Sequence, residues 1–243
     1  MANPTAAMLV IGDEILSGRT RDSNMHHLAG RLTEAGINLM EVRMVADDRK
    51  AIVKGVKALA RNHDHLFTSG GIGPTHDDIT ADCVAEAMDA SIDVRPDARA
   101  ILQAHYDRQG IEMNEARLRM ARIPEGATLI ENPISAAPGF TIGNVHVMAG
   151  IPAIFEAMVA GILPAISGGD PVLSESIRID RAEGDIATRL GELAEEFADL
   201  TFGSYPFRQS GQYGAHVVIR GTDPRLINHA ATQLRAAFGD DAS

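Results

Sequence analysis

Tryptophan is absent from this 243-residue chain and aromatic residues make up only 4% of it, so its core must be aliphatic. Lys and Arg together number 22 against 33 Asp and Glu, a formal charge of −11. Such a surplus repels nucleic acid and anionic lipid unless a local basic patch overrides it, and no Lys/Arg cluster long enough to do so stands out. Cys83 is the only cysteine, which excludes an intramolecular disulfide and a cysteine-rich metal site. The N-terminal "MANPTAAMLVIG" has no basic segment, and its apolar run is far too short for a signal peptide or a membrane span. A soluble, cytoplasmic protein is therefore expected.

What is present suits an α/β fold. The hydrophobic fraction of 45% is ordinary for a chain that buries a real core. "AAMLVI" (6–11), "INLMEVRMV" (37–45) and "HLFTS" (65–69) read as strands. Between them lie two amphipathic helices, one carrying Met25, Leu28, Leu32 and Ala35, the other Ile52, Val56 and Leu59. Asp22 or Ser23 can cap the first, Gly36 stands where a C′ glycine belongs, and Asp47 and Asp48 can cap the second. Thr80 is the expected N-cap of a further helix carrying Asp82, Val84, Ala87 and Met88. Residues 96–122 read as two helical pieces broken near Gly110, followed by the strand-like "ATLI" and the pair "GFTI" and "VHVM" turning at Gly143-Asn144. "AGIPAIFEAMVAGIL" resumes the strand–turn–helix pattern, with Pro152 at the first helical position. Strands alternating with helices in this way imply a mostly parallel sheet covered on both faces, with ligands at the carboxyl ends of the strands.

"SGGDP" (167–171) reads as a linker between a domain of residues 1–167 and a smaller α+β domain of residues 168–243. The second domain is expected to run strand 172–179, helix 183–197, a hairpin over 200–220 and helix 223–238, and it holds 12 Asp/Glu against 7 Arg and no Lys.

The most informative stretch is "TSGGIGPTHDDIT" (68–80). Gly70, Gly71 and Gly73 permit positive φ and close approach of a ligand, and a helix start lies just ahead. Two familiar phosphate motifs fail here. Gly12 and Gly18-Arg19-Thr20 have five intervening residues where a P-loop needs four, and Arg where it needs Lys. "GGIGPT" lacks the third glycine of a dinucleotide fingerprint. Asp77 and Asp78 would sit near Asp13 and Glu14 if both segments occupy the strand ends. Clustered carboxylates of this kind suit a phosphate-bound divalent cation, or else helix capping and solvation. His76 lies inside the loop beside the aspartates, while His63 and His65 fall at a helix–strand junction. Ser17, Ser69 and Ser135 have no His partner in the pattern, and Cys83 reads as a core residue.

Taken in order, "IGDEILSGRTRDSN" (11–24), "VADD" (45–48), "TSGGIGPTHDDIT" (68–80), "NPISAAPGF" (132–140) and "MAGIPAIFEAM" (148–158) resemble the molybdopterin-binding domain family. The likeness is to its CinA-type members over roughly residues 5–165, and also to the domain fused ahead of FAD synthase in eukaryotes, through "GPTHDD" and "YGAHVVIRGTD". It implies a three-layer α/β/α fold that binds a pterin or nucleotide phosphate. The binding positions it carries over are Gly12, Asp13, Glu14, Asn24, Ser69, Gly70, Gly71, Gly73, Pro74, Thr75, His76, Gly139, Gly150 and Pro152. Asp47 and Asp78 match acidic positions important in relatives, and Asp77 and Asp78 would hold a divalent cation, Mg or Co. Two activities are implied: metal-dependent cleavage of a nucleotide diphosphate such as ADP-ribose or FAD, or non-hydrolytic binding of molybdopterin or a related pterin nucleotide.

This chain departs from the family pattern in "MAGIP", where Leu-Pro-Gly-x-Pro is usual, and in His76, where CinA-type proteins often have Lys. The deamidase domain of CinA proteins has no counterpart in these 243 residues, so that activity is not expected. The smaller domain has a layout loosely similar to KH-type modules. Its acidity and its lack of a basic G-x-x-G loop argue against RNA. A homo-oligomer, dimer or trimer, is expected from the relatives, with the smaller domain supporting dimerisation or closing over the site.

Overall fold

The computed structural model describes residues 3–166, 168–209 and 212–242; Ser167 of the expected linker and the hairpin tip at 210–211 lie outside the described residues. The chain divides into two compact units, Met1–Gly169 and Asp170–Ser243. Among the described residues no helix is long and apolar enough to cross a membrane.

In the first unit, β1 (Thr5–Ile11) leads through the short α1 (Asp13–Leu16) to α2 (Asn24–Glu34), β2 (Asn38–Val45), α3 (Arg49–Asn62) and β3 (His65–Ser69). Then come α4 (Thr80–Ala87), β4 (Ile92–Val94), α5 (Pro96–Gln109), α6 (Glu115–Arg119), β5 (Arg122–Pro124) and β6 (Thr128–Ile130). The hairpin of β7 (Gly139–Ile142) and β8 (Val145–Met148) and the helix α7 (Pro152–Ile162) complete it. The main sheet has the order β2-β1-β3-β8-β7-β6, in which β2, β1, β3 and β8 are mutually parallel and β7 runs against both its neighbours. β4 and β5 form a separate antiparallel pair.

The alternation of β1 builds the layers. Ala7, Leu9 and Ile11 pack with Ile52, Val56 and Leu59 of α3, Val84 of α4 and Leu102 of α5. Ala6, Met8 and Val10 face Leu28 and Leu32 of α2 and Phe155, Met158 and Val159 of α7. The fold is thus a three-layer α/β/α sandwich, and Cys83 is fully buried in its first layer. The second unit is α+β. Antiparallel strands β9 (Leu173–Ile179), β10 (Thr201–Gln209) and β11 (Gln212–Gly221), in the order β10-β11-β9, share one core with α8 (Glu183–Glu196) and α9 (Pro224–Phe238).

Local chemistry explains most boundaries. α2 closes with the Gly36 N–H donating to Thr33 O and the Ile37 N–H to Leu32 O, and Gly36 is left-handed at φ +68°, a Schellman end. At its start Asp22, not Ser23, bonds a backbone N–H, that of Met25 at 2.9 Å. α5 stops at Gly110, φ +67°, and Pro152 opens α7. Two expectations fail. Thr80 is not a cap but the first residue of α4, with its N–H donated to Gly71 O at 2.9 Å and Ile79 in the cap position. The second helical piece of 96–122 shrinks to the five residues of α6, because residues 122–124 are taken by pairing with β4. The three lysines, Lys50, Lys54 and Lys57, lie with Arg61 along the exposed side of α3, a row that a search for contiguous charge passes over.

Of the adjacent aspartates before α3, Asp48 is the cap: its carboxylate accepts from the Ala51 N–H at 2.9 Å. Asp48→Ala should cost about 1 kcal/mol, seen as a lower urea midpoint at unchanged slope, while Asp48→Asn should stay close to wild type.

Candidate functional site

The carboxyl ends of β1, β3 and β8 meet at one edge of the main sheet, and they meet closely. Gly70, one residue past β3, has φ +103°, and a Cβ there would stand 2.2 Å from the Ile11 carbonyl oxygen at the end of β1. Its N–H donates to Met148 O at 3.2 Å, and a Cβ on Gly150 would come within 3.2 Å of the Gly70 Cα. Gly71 faces Thr80, whose Oγ1 would lie 2.1 Å from a Cβ at that position. Asn24 braces this junction from the first turn of α2. Only 3% exposed, it donates from Nδ2 to Ser69 Oγ and to Gly150 O, both at 2.8 Å. Gly70 and Gly71 therefore answer a packing constraint as well as leaving backbone bare towards solvent.

Residues 72–79 form a turn whose anchor is Asp78. Its Oδ2 accepts from the Thr75 N–H at 2.8 Å and from the Thr75 hydroxyl at 2.5 Å, while the Arg119 guanidinium donates to the Asp78 carbonyl at 3.3 Å. Asp78 is thereby fixed on the lip of a cleft of about 450 Å3. Glu14, Thr20 and the glycine loop Gly70–Pro74 line that cleft, together with Met120, the turn residues Asn132, Ser135 and Ala137, and Ala149–Pro152 with Ile154. Asn132 makes the opposite wall rigid. Its Nδ2 donates to Ser135 Oγ and Ala137 O, and its Oδ1 accepts from the Ile134 and Ser135 N–H groups. Behind the loop lies a water-sized hollow of about 20 Å3, also lined by Arg119 and by Arg122, which pairs with Asp82 at 2.5 Å.

Of the residues singled out in the sequence, Glu14, Gly70, Gly71, Gly73, Pro74, Asp78, Gly150 and Pro152 line the cleft. Asn24, Ser69 and Thr75 stand behind it as supports. Gly139 has a sheet role, since a Cβ there would stand 2.3 Å from Val147 O. His76 is 97% exposed, its Nδ1 3.8 Å from Asp77, and neither lines the cleft. Cys83 is held protonated, its pKa pushed up to about 11 by burial. Thr20, Met120, Asn132, Ser135, Ile151 and Ile154 were not expected as contacts. Stretches containing four of them, "NPISAAPGF" and "MAGIPAIFEAM", carried the signal without marking the residues.

Asp47 lies off the cleft. Its Oδ2 accepts from the Asp13 N–H at 3.0 Å. Burial raises its pKa, the Asp13 N–H opposes that, and the charges of Asp13, Glu14 and Asp77 raise it further. Gly12 joins this group through its N–H, donated to Val45 O at 3.1 Å. Negative charge is thus concentrated at the ends of β1 and β2 and in the glycine loop. Among the described residues no three His, Cys, Asp or Glu side chains converge closely enough to hold a metal by themselves.

Residues 7–168 match the family described as a probable molybdopterin binding domain, and residues 171–243 the family described as the FAD synthase middle domain. A protein of Archaeoglobus fulgidus is 30% identical over 236 residues, which cover 96% of this chain and 97% of that protein. A CinA-like protein of Citrifermentans bemidjiense is 31% identical over 94% of this chain and 57% of its own length. For a probable FAD synthase of Caenorhabditis elegans the values are 30%, 95% and 49%, so the chain spans about half of each of these two relatives. Among solved structures, CinA from Thermoplasma acidophilum superposes with a TM-score of 0.62 at 30% identity, covering 66% of this chain and 98% of that one.

Two outcomes test this geometry. Gly70→Ala sets a methyl group against a backbone oxygen that cannot move aside, and should lower stability by about 1–3 kcal/mol in denaturant titration. Asp47 has a raised folded pKa, so the folded state holds its proton more tightly than the unfolded chain does. Its contribution is therefore fullest below the ordinary aspartate range and is lost as pH rises through the raised value. Melting curves in metal-free buffer should show Asp47→Asn, which keeps an acceptor for the Asp13 N–H, removing that loss; an unchanged pH profile would contradict it.

Proposed function

The chain belongs to the molybdopterin-binding domain family, among its CinA-like members, and from that premise we propose that its first unit binds a nucleotide diphosphate such as ADP-ribose or FAD and cleaves the pyrophosphate bond with the help of a divalent cation. The observation that carries the reading is the make-up of the cleft. One wall is side-chain-free backbone at Gly70, Gly71 and Gly73, two carboxylates (Glu14 and Asp78) stand on its lips, and Ile72, Met120, Ile151 and Ile154 supply apolar surface. Bare backbone suits phosphate oxygens, apolar side chains suit a planar base, and the volume is that of a small-ligand site. The relative named as a probable FAD synthase and the match of the second unit to the middle domain of that enzyme support a nucleotide over an unrelated ligand.

The carboxylate side chains fit a cation that accepts oxygen ligands, such as Mg2+ or Co2+, better than a thiol-seeking one. Asp78 has Oδ2 occupied by Thr75 and Oδ1 left to spare, and Glu14 faces the same cleft. Two carboxylates are what such an ion typically takes from protein when the remaining ligands are phosphate oxygens and water, which agrees with the absence of a protein-only cage among the described residues. When bound, the cation would neutralise charge on the diphosphate and lower the pKa of a water. The chain's own residues do the rest. Thr75 holds Asp78 in one rotamer, Asn24 and Ser69 keep the strand ends together so that the loop does not give way, and Ile151 and Pro152 shield the ligand from water. Molybdopterin, also a planar ring bearing a phosphate, would use the same wall and floor.

Purified protein incubated with ADP-ribose or FAD and Mg2+ or Co2+ should release AMP, and a chelator should stop it. Asp78→Asn, which keeps the acceptor for Thr75, should lower the rate by about a hundredfold or more at near-wild-type stability. No AMP from either substrate would overturn the reading; tight pterin binding without turnover would assign the cleft to holding rather than cutting.

A further inference from the structure

In a chain with a formal charge of −11, the exposed face of α3 is positive throughout. All three lysines of the chain, Lys50, Lys54 and Lys57, lie on this one helix. Arg61 continues the row, and steps of four, three and four residues place the four cations in one stripe about 16 Å long. All four are exposed, and among the described residues none has a carboxylate partner. Arg49, by contrast, is neutralised by Glu86 of α4 at 2.6 Å. The stripe borders a shallow groove of about 740 Å3, in which Val53 and Ala58 are the apolar members. Like charges three and four residues apart repel one another and cost a helix stability. The exposed face of α5 avoids this by mixing signs, with Asp97, Arg99, Asp107 and Arg108; the face of α3 carries no acid at all.

We propose that the basic face of α3 is a docking surface for an acidic amphipathic helix of a partner protein. A second helix repeats its side chains with the same period. Carboxylates at steps of four, three and four residues therefore fall opposite Lys50, Lys54, Lys57 and Arg61 in turn, in either direction, and apolar residues beside them meet Val53 and Ala58. Acidic residues bound the surface at both ends: Asp47 and Asp48 precede α3, and Asp64 follows it. A helix of about four turns fits between them. A nucleic acid or a membrane would extend past both ends, over a surface that is acidic in sum. The floor of the groove argues the same way, because a chain of phosphates gains nothing from Val53 and Ala58.

The probe is a labelled synthetic amphipathic peptide with Glu at those four helical positions and Leu beside them. Fluorescence anisotropy with the full chain should show saturable one-to-one binding that weakens as salt is raised. A peptide of the same composition with its Glu spread round the helix should bind about tenfold more weakly or worse. Lys54→Glu with Lys57→Glu should lower affinity by about thirtyfold, since each reversal replaces an attraction with a repulsion. The neutral pair Lys54→Gln with Lys57→Gln should fall between that and wild type, with circular dichroism unchanged. Arg99→Glu with Arg108→Glu on α5 makes the same change of net charge and should have little effect. Oligo-dT and phosphatidylserine vesicles should bind more weakly than the peptide. No binding of the peptide, equal binding of the dispersed one, or tighter binding of oligo-dT or vesicles would overturn the proposal. So would affinity indifferent to the α3 variants, or a loss that the α5 variant reproduces.

Discussion

The carboxyl edge of the main sheet depends on one close approach of backbone to backbone. Gly70 sits where the chain leaving β3 passes the end of β1 and the turn after β8, and the Ile11 carbonyl leaves no room for a Cβ. Because the three strand ends touch there, the loops that leave them diverge from a common point and enclose a cleft instead of spreading over the surface. Asn24 then ties α2 to the same junction through Ser69 and Gly150. A small number of polar bonds and one missing side chain set the positions of elements far apart in sequence.

Charge is arranged on that frame. Glu14 and Asp78 stand on the lips, and Asp13, Asp47 and Asp77 stand nearby; burial together with these neighbours disfavours the ionised form of Asp47. A protein with a surplus of acid could place these groups anywhere. Gathering them at the strand ends concentrates a field that a divalent cation bound with a phosphate would relieve. Arg119 and Arg122 lie behind the loop, the first on the Asp78 carbonyl and the second already neutralised by Asp82. Among the described residues that line the cleft there is no Lys or Arg.

Much of this was legible in the sequence, for local reasons. The end of α2 follows from Gly36 and the break after α5 from Gly110, because a left-handed residue is a local requirement that a glycine announces. Asp78 and the glycine loop were found because they are contiguous. Thr80 was misread because its backbone, not its hydroxyl, is what the neighbouring loop uses, through Gly71 O. The length of α6 was misread because the pairing of β5 with β4 is a contact between distant segments that local periodicity does not encode. The far wall of the cleft escaped for the same reason. Asn132 and Ser135 reach the site only because β6 runs in the same direction as β1 and β3 two places beyond β8, which strand order alone reveals.

The central claim is that this edge of the sheet is a nucleotide-diphosphate site completed by a cation. Its most direct test is calorimetric titration of the wild-type protein with ADP-ribose or FAD, once in Mg2+ and once in chelator. One-to-one binding per first unit that is markedly tighter with the cation is the predicted result. No binding under either condition, or binding indifferent to the cation, would contradict it.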